Sequence, residues 1–142
     1  LIEEFNLEPD SAGPGRYRGA HSITKTYRAI DTEITVSSVS DRHSIQPWGL
    51  LGGGGGATGG LQYQSADGGA WQSFTEAFDK VSPSKFSNAK IASGARVRLT
   101  APGAGGYGPV AERPADMIAE DLREGWITPE GARRDYGYDG DN

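Results

Sequence analysis

The chain has 142 residues, a net charge of −5 and no cysteine, so disulfides, thiolate metal sites and cysteine nucleophiles are excluded. Only 24 residues are Leu, Ile, Val or Phe, yet three tryptophans and six tyrosines are present. That combination describes one folded domain whose core is thin and finishes its burial against partners. The nine acids and four arginines of residues 112–142 carry the whole net charge, leaving residues 1–111 neutral. An acidic tail on a neutral body argues against nucleic acid, which needs a basic face. No apolar run approaches a membrane span and no signal peptide is visible, so a cytoplasmic protein without membrane contact is expected.

In chain order, Leu1–Leu7 reads as a strand ended by the turn residues Glu8-Pro9-Asp10-Ser11. Gly13 to Gly19 alternates glycine with bulky or basic residues, as in a tightly bent, exposed connection. Ile23, Lys25 and Tyr27, then Ile34, Val36 and Ser38, alternate with polar residues. Ser22–Ala29 and Glu33–Val39 are therefore expected as strands of one hairpin.

Pro47-Trp48-Gly49-Leu50-Leu51 then leads into a run in which seven of nine residues, Gly52 to Gly60, are glycine. Ordering seven glycines costs about 3.5–7 kcal/mol relative to alanine, against a whole-domain stability of about 5–15 kcal/mol. Apolar residues directly before the run argue for a docked segment in which bare backbone makes close contact, as in side-by-side polyproline-like strands.

Leu61–Gln64 and Ala70–Phe78 read as further strands with aromatic faces, and Ser82-Pro83-Ser84-Lys85 as a turn. Arg96–Ala101 gives the clearest half-buried alternation. Gly103 to Gly108 forms a second glycine cluster. The period then changes: Pro114, Asp116, Arg123 and Gly125 mark one short helix, and Thr128-Pro129-Glu130 opens another that stops by Gly137. The expected fold is mainly β (α+β), a glycine-rich body over 1–111 with an acidic helical hairpin over 112–142, in a single domain.

Both glycine clusters match GxGxxG, at Gly54/Gly56/Gly59 and Gly103/Gly105/Gly108, but neither is followed by the helix and parallel strand of a dinucleotide site. Asp41, His43 and Ser44 have the residue types of a hydrolytic triad without a Gly-x-Ser-x-Gly elbow, so simple pairing is the better reading. His21 and His43, the only histidines, lack helical i,i+4 spacing, and no metal site is expected within this chain. Arg16 and Arg18, flanking Tyr17, read as loop arginines able to grip a carboxylate or phosphate.

Several stretches resemble one family. Ser11-Ala12-Gly13-Pro14-Gly15-Arg16-Tyr17-Arg18-Gly19 is similar to the S-G-G-x-G-x-x-R-G-G stretch of the hydantoinase B/oxoprolinase family. Arg42 followed by Pro47-Trp48-Gly49-Leu50 resembles its R…P-P-W-G-L-x-G-G segment, and Ser82-Pro83-Ser84-Lys85 its L-P-S-K turn. Arg98 to Gly108 resembles its T-P-G-G-G-G-Y-G end, and Glu112-Arg113, Asp121 to Gly125 and Asp135-Tyr136-Gly137 its closing helices. The matches run in order along nearly the whole chain, and they occupy the C-terminal part of much longer family members.

The resemblance implies a small accessory subunit, not catalytic alone, of an ATP-dependent ketone carboxylase that makes a β-keto acid from a ketone and bicarbonate. Its partners would be larger hydantoinase A-like and truncated hydantoinase B-like chains in a hetero-oligomer, with ATP bound by the partners and no cofactor in this chain. Arg42, Trp48 and Lys85 are the candidate substrate or interface contacts, and no catalytic residue is expected. Two alternatives stand beside it: a component of an N-methylhydantoinase- or 5-oxoprolinase-type amidohydrolase, and a free-standing β module gripping a ligand with Trp48, Tyr63 and Trp71.

Overall fold

A computed structural model describes residues 1–140. The chain forms two compact units, each assembled from separated segments. The first comprises Leu1–Asn6, Thr24–His43 and Gly59–Ala101; the second comprises Leu7–Ile23, Ser44–Thr58 and the chain from Pro102 onward.

The first unit is built on strands β1 (Ile2–Leu7), β2 (Ile23–Arg28), β3 (Ile34–Val39), β4 (Gly60–Gln64), β5 (Gln72–Ser73), β6 (Lys85–Ile91) and β7 (Arg96–Thr100). A five-stranded sheet has the order β1-β2-β7-β4-β5, and β3 and β6 form a separate antiparallel ribbon. The strands β2 and β3 thus exist where the alternation places them, but they do not form the expected hairpin. β2 pairs with β7 and β3 with β6. Pairing follows burial: in β7, Val97 and Leu99 lie opposite Tyr27 and Lys25 on one side and Tyr63 and Leu61 on the other, a face that is apolar except at Lys25. That register is specified because a one-residue slip would turn the apolar set to the other face.

Ala70–Phe78 departs from the expected strand. Only Gln72–Ser73 is extended, and Phe74–Phe78 forms the short helix α1. Ser73 starts it with a capping box: its hydroxyl accepts from the Glu76 N–H at 3.2 Å while Glu76 accepts from the Ser73 N–H at 2.7 Å. α1 inserts Phe74, fully buried, which stacks on Phe86 with ring centroids 4.4 Å apart and on Phe78 at 5.3 Å. Burying such a ring contributes about 1.5–3 kcal/mol. Ala29, Leu61, Ala89, Ile91, Ala95 and Val97 complete this core.

In the second unit, α2 (Ala115–Arg123) follows a 3₁₀ turn at Val110–Glu112, and α3 (Pro129–Tyr136) ends at Gly137 in the left-handed region, φ 63°. Thr128 caps α3 through its side chain, with Pro129 in the first turn as the sequence indicates. Ile118, Ile127 and Ala132 are buried between the helices, with Leu122, Tyr136 and Tyr138 packed around them.

The remainder of this unit is backbone packed on backbone. Three glycine-bearing segments run beside one another with hydrogen bonds between them. Gly13 N–H donates to Ala104 O (2.9 Å), Gly54 N–H to Pro14 O (2.7 Å) and Gly106 N–H to Gly54 O (2.9 Å). A Cβ on Gly13 would lie 2.6 Å from Gly106 N, and one on Gly56 would lie 2.7 Å from Ala104 O. Neither glycine has a positive φ, so close approach and not conformational freedom demands it. Tyr17, Tyr107 and Leu50 are linked across the segments by isolated bridges. The glycine run is therefore docked, backbone against backbone.

Candidate functional site

The apolar face of β2, β7 and β4 is not fully covered by the β3–β6 ribbon. A cleft of about 520 Å³ opens in the first unit, lined by Tyr27, Leu61, Val97 and Leu99 from the sheet and Ile34 and Val36 from β3. β3 slips register between Val36 and Ser38, and from this bulge onward the lining carries Ser37, Ser38 and Ser40 together with Val39. These hydroxyls are partly engaged. Ser38 Oγ donates to Ser84 O (3.1 Å), Ser37 Oγ accepts from Asn88 N–H (3.2 Å), and Ser40 Oγ meets His43 Nε2 at 3.2 Å.

Two of the candidates marked by sequence follow from this polar end. Lys85 lies opposite Val39 in the ribbon, and its Nζ is 2.9 Å from Asp41 Oδ1. That hydrogen bond and charge hold the Asp41 carboxyl below its usual range. Arg42 follows with φ 63°, an uncommon conformation for a non-glycine residue, and its carbonyl accepts from Gly59 N–H at 2.9 Å. Burial pushes the His43 imidazole pKa down, with Asp41 opposing. Asp41 is thus bound to Lys85 and His43 to Ser40, which is pairing of the ordinary kind and not a triad.

Trp48, the third candidate, belongs to the second unit and is 65% exposed. It lines an open depression with Ile45, Gln46, Gly49, Gly53 and Gly55, and Leu50 and Leu51 beside it in sequence are also exposed. Leu51 has φ 49°, a strained setting for leucine. Ile45, Trp48, Leu50 and Leu51 are thus large apolar side chains of one short segment that stand exposed.

The arginines of the first glycine segment grip carboxylates of this same chain. Arg18 donates to both oxygens of Asp121 (3.0 and 3.3 Å), and Arg113 donates to Asp121 Oδ2 at 2.6 Å. Arg18 also lies over the Trp126 ring at 4.9 Å, and Arg16 pairs with Glu112 at 3.2 Å. Asp121 and Arg113 are not legible as a buried pair in the sequence, because in the charge-rich C-terminal segment both read as surface charge. His21 Nδ1 lies 3.2 Å from Glu8 O, its Nε2 is buried without a hydrogen bond among the described residues, and burial lowers its pKa.

Neither GxGxxG match opens a helix: β4 follows the first, and the 3₁₀ turn follows the second. Among the described residues no group of three or more His, Cys, Asp or Glu side chains is placed to hold a metal ion. No described helix is long and apolar enough to cross a membrane.

The sequence profile of the family Hydantoinase B/oxoprolinase matches residues 1–110. This chain belongs to that family. An uncharacterized protein of Methanocaldococcus jannaschii is 34% identical over 136 residues, 96% of this chain and 22% of its own length. A Pseudomonas protein provisionally named as the B component of a D-/L-hydantoinase is 30% identical over 137 residues, again 96% and 22%. The chain thus spans about a fifth of the length of these two relatives. Two solved structures share its fold. ATP-dependent caprolactamase from Pseudomonas jessenii matches with TM-score 0.78 and 23% identity over 100% of this chain and 24% of its own. Acetone carboxylase, in a nucleotide-free structure, matches with TM-score 0.70 and 16% identity over 96% and 21%.

Proposed function

We propose that this chain is an accessory module of an ATP-dependent, several-chain enzyme of the cytoplasm, completing a hydantoinase B-type chain and contributing no catalysis alone. The observation that carries this reading is the glycine-packed body. Its fold recurs over the full length of this chain within the much longer caprolactamase chain, and a body of backbone packed on backbone suits a framework. Trp48, Arg42 and Lys85 are its contacts with larger chains or with substrate, the exposed Trp48 surface being the strongest support. ATP is held by hydantoinase A-like partners and no cofactor by this chain.

In the finer reading the complex is a ketone carboxylase of the acetophenone carboxylase kind. Hydantoinase A-like chains activate ketone and bicarbonate by phosphorylation from ATP, and the product is a β-keto acid such as benzoylacetate. The shared fold with acetone carboxylase supports it. A second reading, ATP-dependent opening of a cyclic amide, is favoured by a separate observation: the 30% identical relative carries a hydantoinase name and the caprolactamase match is the higher in TM-score. The test is reconstitution with the partner chains and ATP. Fixation of labelled bicarbonate into benzoylacetate supports the ketone reading, and ring opening of a hydantoin or lactam without bicarbonate supports the amide reading. If omitting this chain leaves both activities unchanged, the accessory role itself is wrong.

A further inference from the structure

We propose that the free edge of β1 takes up an extended segment of the larger hydantoinase B-type chain as a further strand of the five-stranded sheet. The inference rests on the accessory-module reading above and names a contact that reading leaves open.

The sheet has two edges, and they are built differently. β5 closes one with only two residues, Gln72 and Ser73, and the chain turns at once into α1. A very short strand blunts an edge against pairing. β1 forms the other edge with six residues, bonded to β2 on one side and with no strand on the other among the described residues. It contains neither proline nor lysine, the residues that commonly guard an edge. Its two acids are drawn back onto the sheet: Glu3 accepts from Arg96 Nε (2.6 Å) and Glu4 from Thr26 Oγ1 (2.7 Å). Every residue of β1 except Glu4 is exposed, with Ile2 at 56% and Phe5 at 63%.

The N–H and C=O groups along such an edge are matched in register only by another extended backbone, so the edge selects a strand and not a small molecule. The side chains set the pattern that strand needs. Phe5 lies beside Lys25, whose Nζ is 4.5 Å from the ring centroid, while Glu4 lies beside Thr26 and Arg98 on the opposite face. An incoming strand therefore places an apolar residue next to Phe5 and a hydrogen-bonding or basic one next to Glu4. Length argues for the larger chain as its source. This chain spans 22% of the length of each of the two relatives, so the greater part of each is sequence able to supply a strand. A second copy fits less well, because β1 offers two acids and no base to the position beside Glu4.

The experiment compares amide hydrogen exchange, read by mass spectrometry, in this chain alone and in complex with its hydantoinase B-type partner. Peptides of β1 should exchange about tenfold or more slowly in the complex. Phe5→Glu, which gives Lys25 an ion-pair partner in place of the ring, should weaken the complex at least several-fold, and Ile2→Lys does the same if Phe5→Glu does not fold. Val81→Lys, at a fully exposed position, leaves the complex unchanged. A complex in which β1 is unprotected, or which is insensitive to both edge substitutions, overturns this proposal and leaves the accessory role standing. A chain that binds no such partner overturns both. A dimer of the chain alone that Phe5→Glu dissolves assigns the edge to a second copy and likewise overturns the proposal.

Discussion

Arg113 Nη2 donates to Asp121 Oδ2 across 2.6 Å, and both side chains are only 3% exposed. Arg18 completes the group with two further hydrogen bonds to the same carboxylate. Removing the one anion leaves two guanidinium groups without a counter-charge, one of them buried. Breaking such a pair costs about 3–5 kcal/mol. Asp121→Ala should therefore lower the unfolding free energy by about that amount in denaturant titration, whereas Asp116→Ala, on the exposed side of α2, should shift it by about 0.5 kcal/mol or less. Equal effects from the two would contradict the assignment.

The glycine body makes a sharper contrast. At Gly13 an added methyl would meet Gly106 N at 2.6 Å and Gly105 Cα at 2.8 Å, backbone atoms that cannot step aside. Gly13→Ala should destabilise by more than about 3 kcal/mol or abolish folding, since overpacking here forces main-chain shifts. Gly60, in β4, has open space around its would-be Cβ and no positive φ. Gly60→Ala should be neutral or raise the melting temperature, because only the unfolded chain loses freedom. Comparable losses from the two substitutions would show that the body is not close-packed.

Stability should fall as pH drops from 7 toward 5. His21 and His43 are both pushed below their ordinary value of 6.5, chiefly by burial, with Arg18 adding to the effect at His21. The unfolded chain then binds protons near pH 6.5 that the folded chain refuses until lower pH, so folding weakens through that interval and levels off below the folded values. At His21 the geometry agrees: Nδ1 donates to Glu8 O, and a proton on Nε2 would find no acceptor among the described residues. His21→Gln should flatten the profile between pH 7 and 5, read by thermal unfolding at several pH values. The carboxyls of Glu3 and Glu4, held down by hydrogen bonds from Arg96 and Thr26, act in a different window, losing their contribution as pH falls below about 4.5.

Lys85 and Trp48 should matter little to the fold. The Lys85–Asp41 pair is largely exposed, and such pairs contribute about 0–1 kcal/mol. Lys85→Ala and Trp48→Ala are expected to keep the unfolding curve of the chain, while Trp48→Ala weakens association with the larger partner chains at least several-fold, read by titration calorimetry. A destabilised fold with unchanged association would place Trp48 in the scaffold.

What can be read from the sequence divides along a physical line. Glycine clustering is a local signal with a steric cause, and the docked body is legible from it, as the caps at Thr128 and Gly137 are from residue type and β7 from its alternation. Strand partners are set by burial over long sequence distances, so β2 and β3 show in the sequence while their pairing does not. β6 is hidden because Asn88, at φ 57°, breaks its period, placing Phe86, Ala89 and Ile91 out of strict alternation. The helix α1 is masked by its aromatic residues, although Ser73-x-x-Glu76 is a usable cap signal. Arg42 and Lys85 are marked by motif, and they neighbour the cleft without lining it. The apolar wall of the cleft is not so marked, since Tyr27, Leu61 and Leu99 converge only through sheet register.

The central claim is that this chain works as a docked module. Affinity purification of the tagged chain from its native cells, followed by native mass spectrometry, tests it most directly. A stable complex holding hydantoinase A-like and hydantoinase B-type chains, lost with Trp48→Ala, is expected. A chain that emerges alone, monomeric and with a sharp cooperative melt, would contradict it.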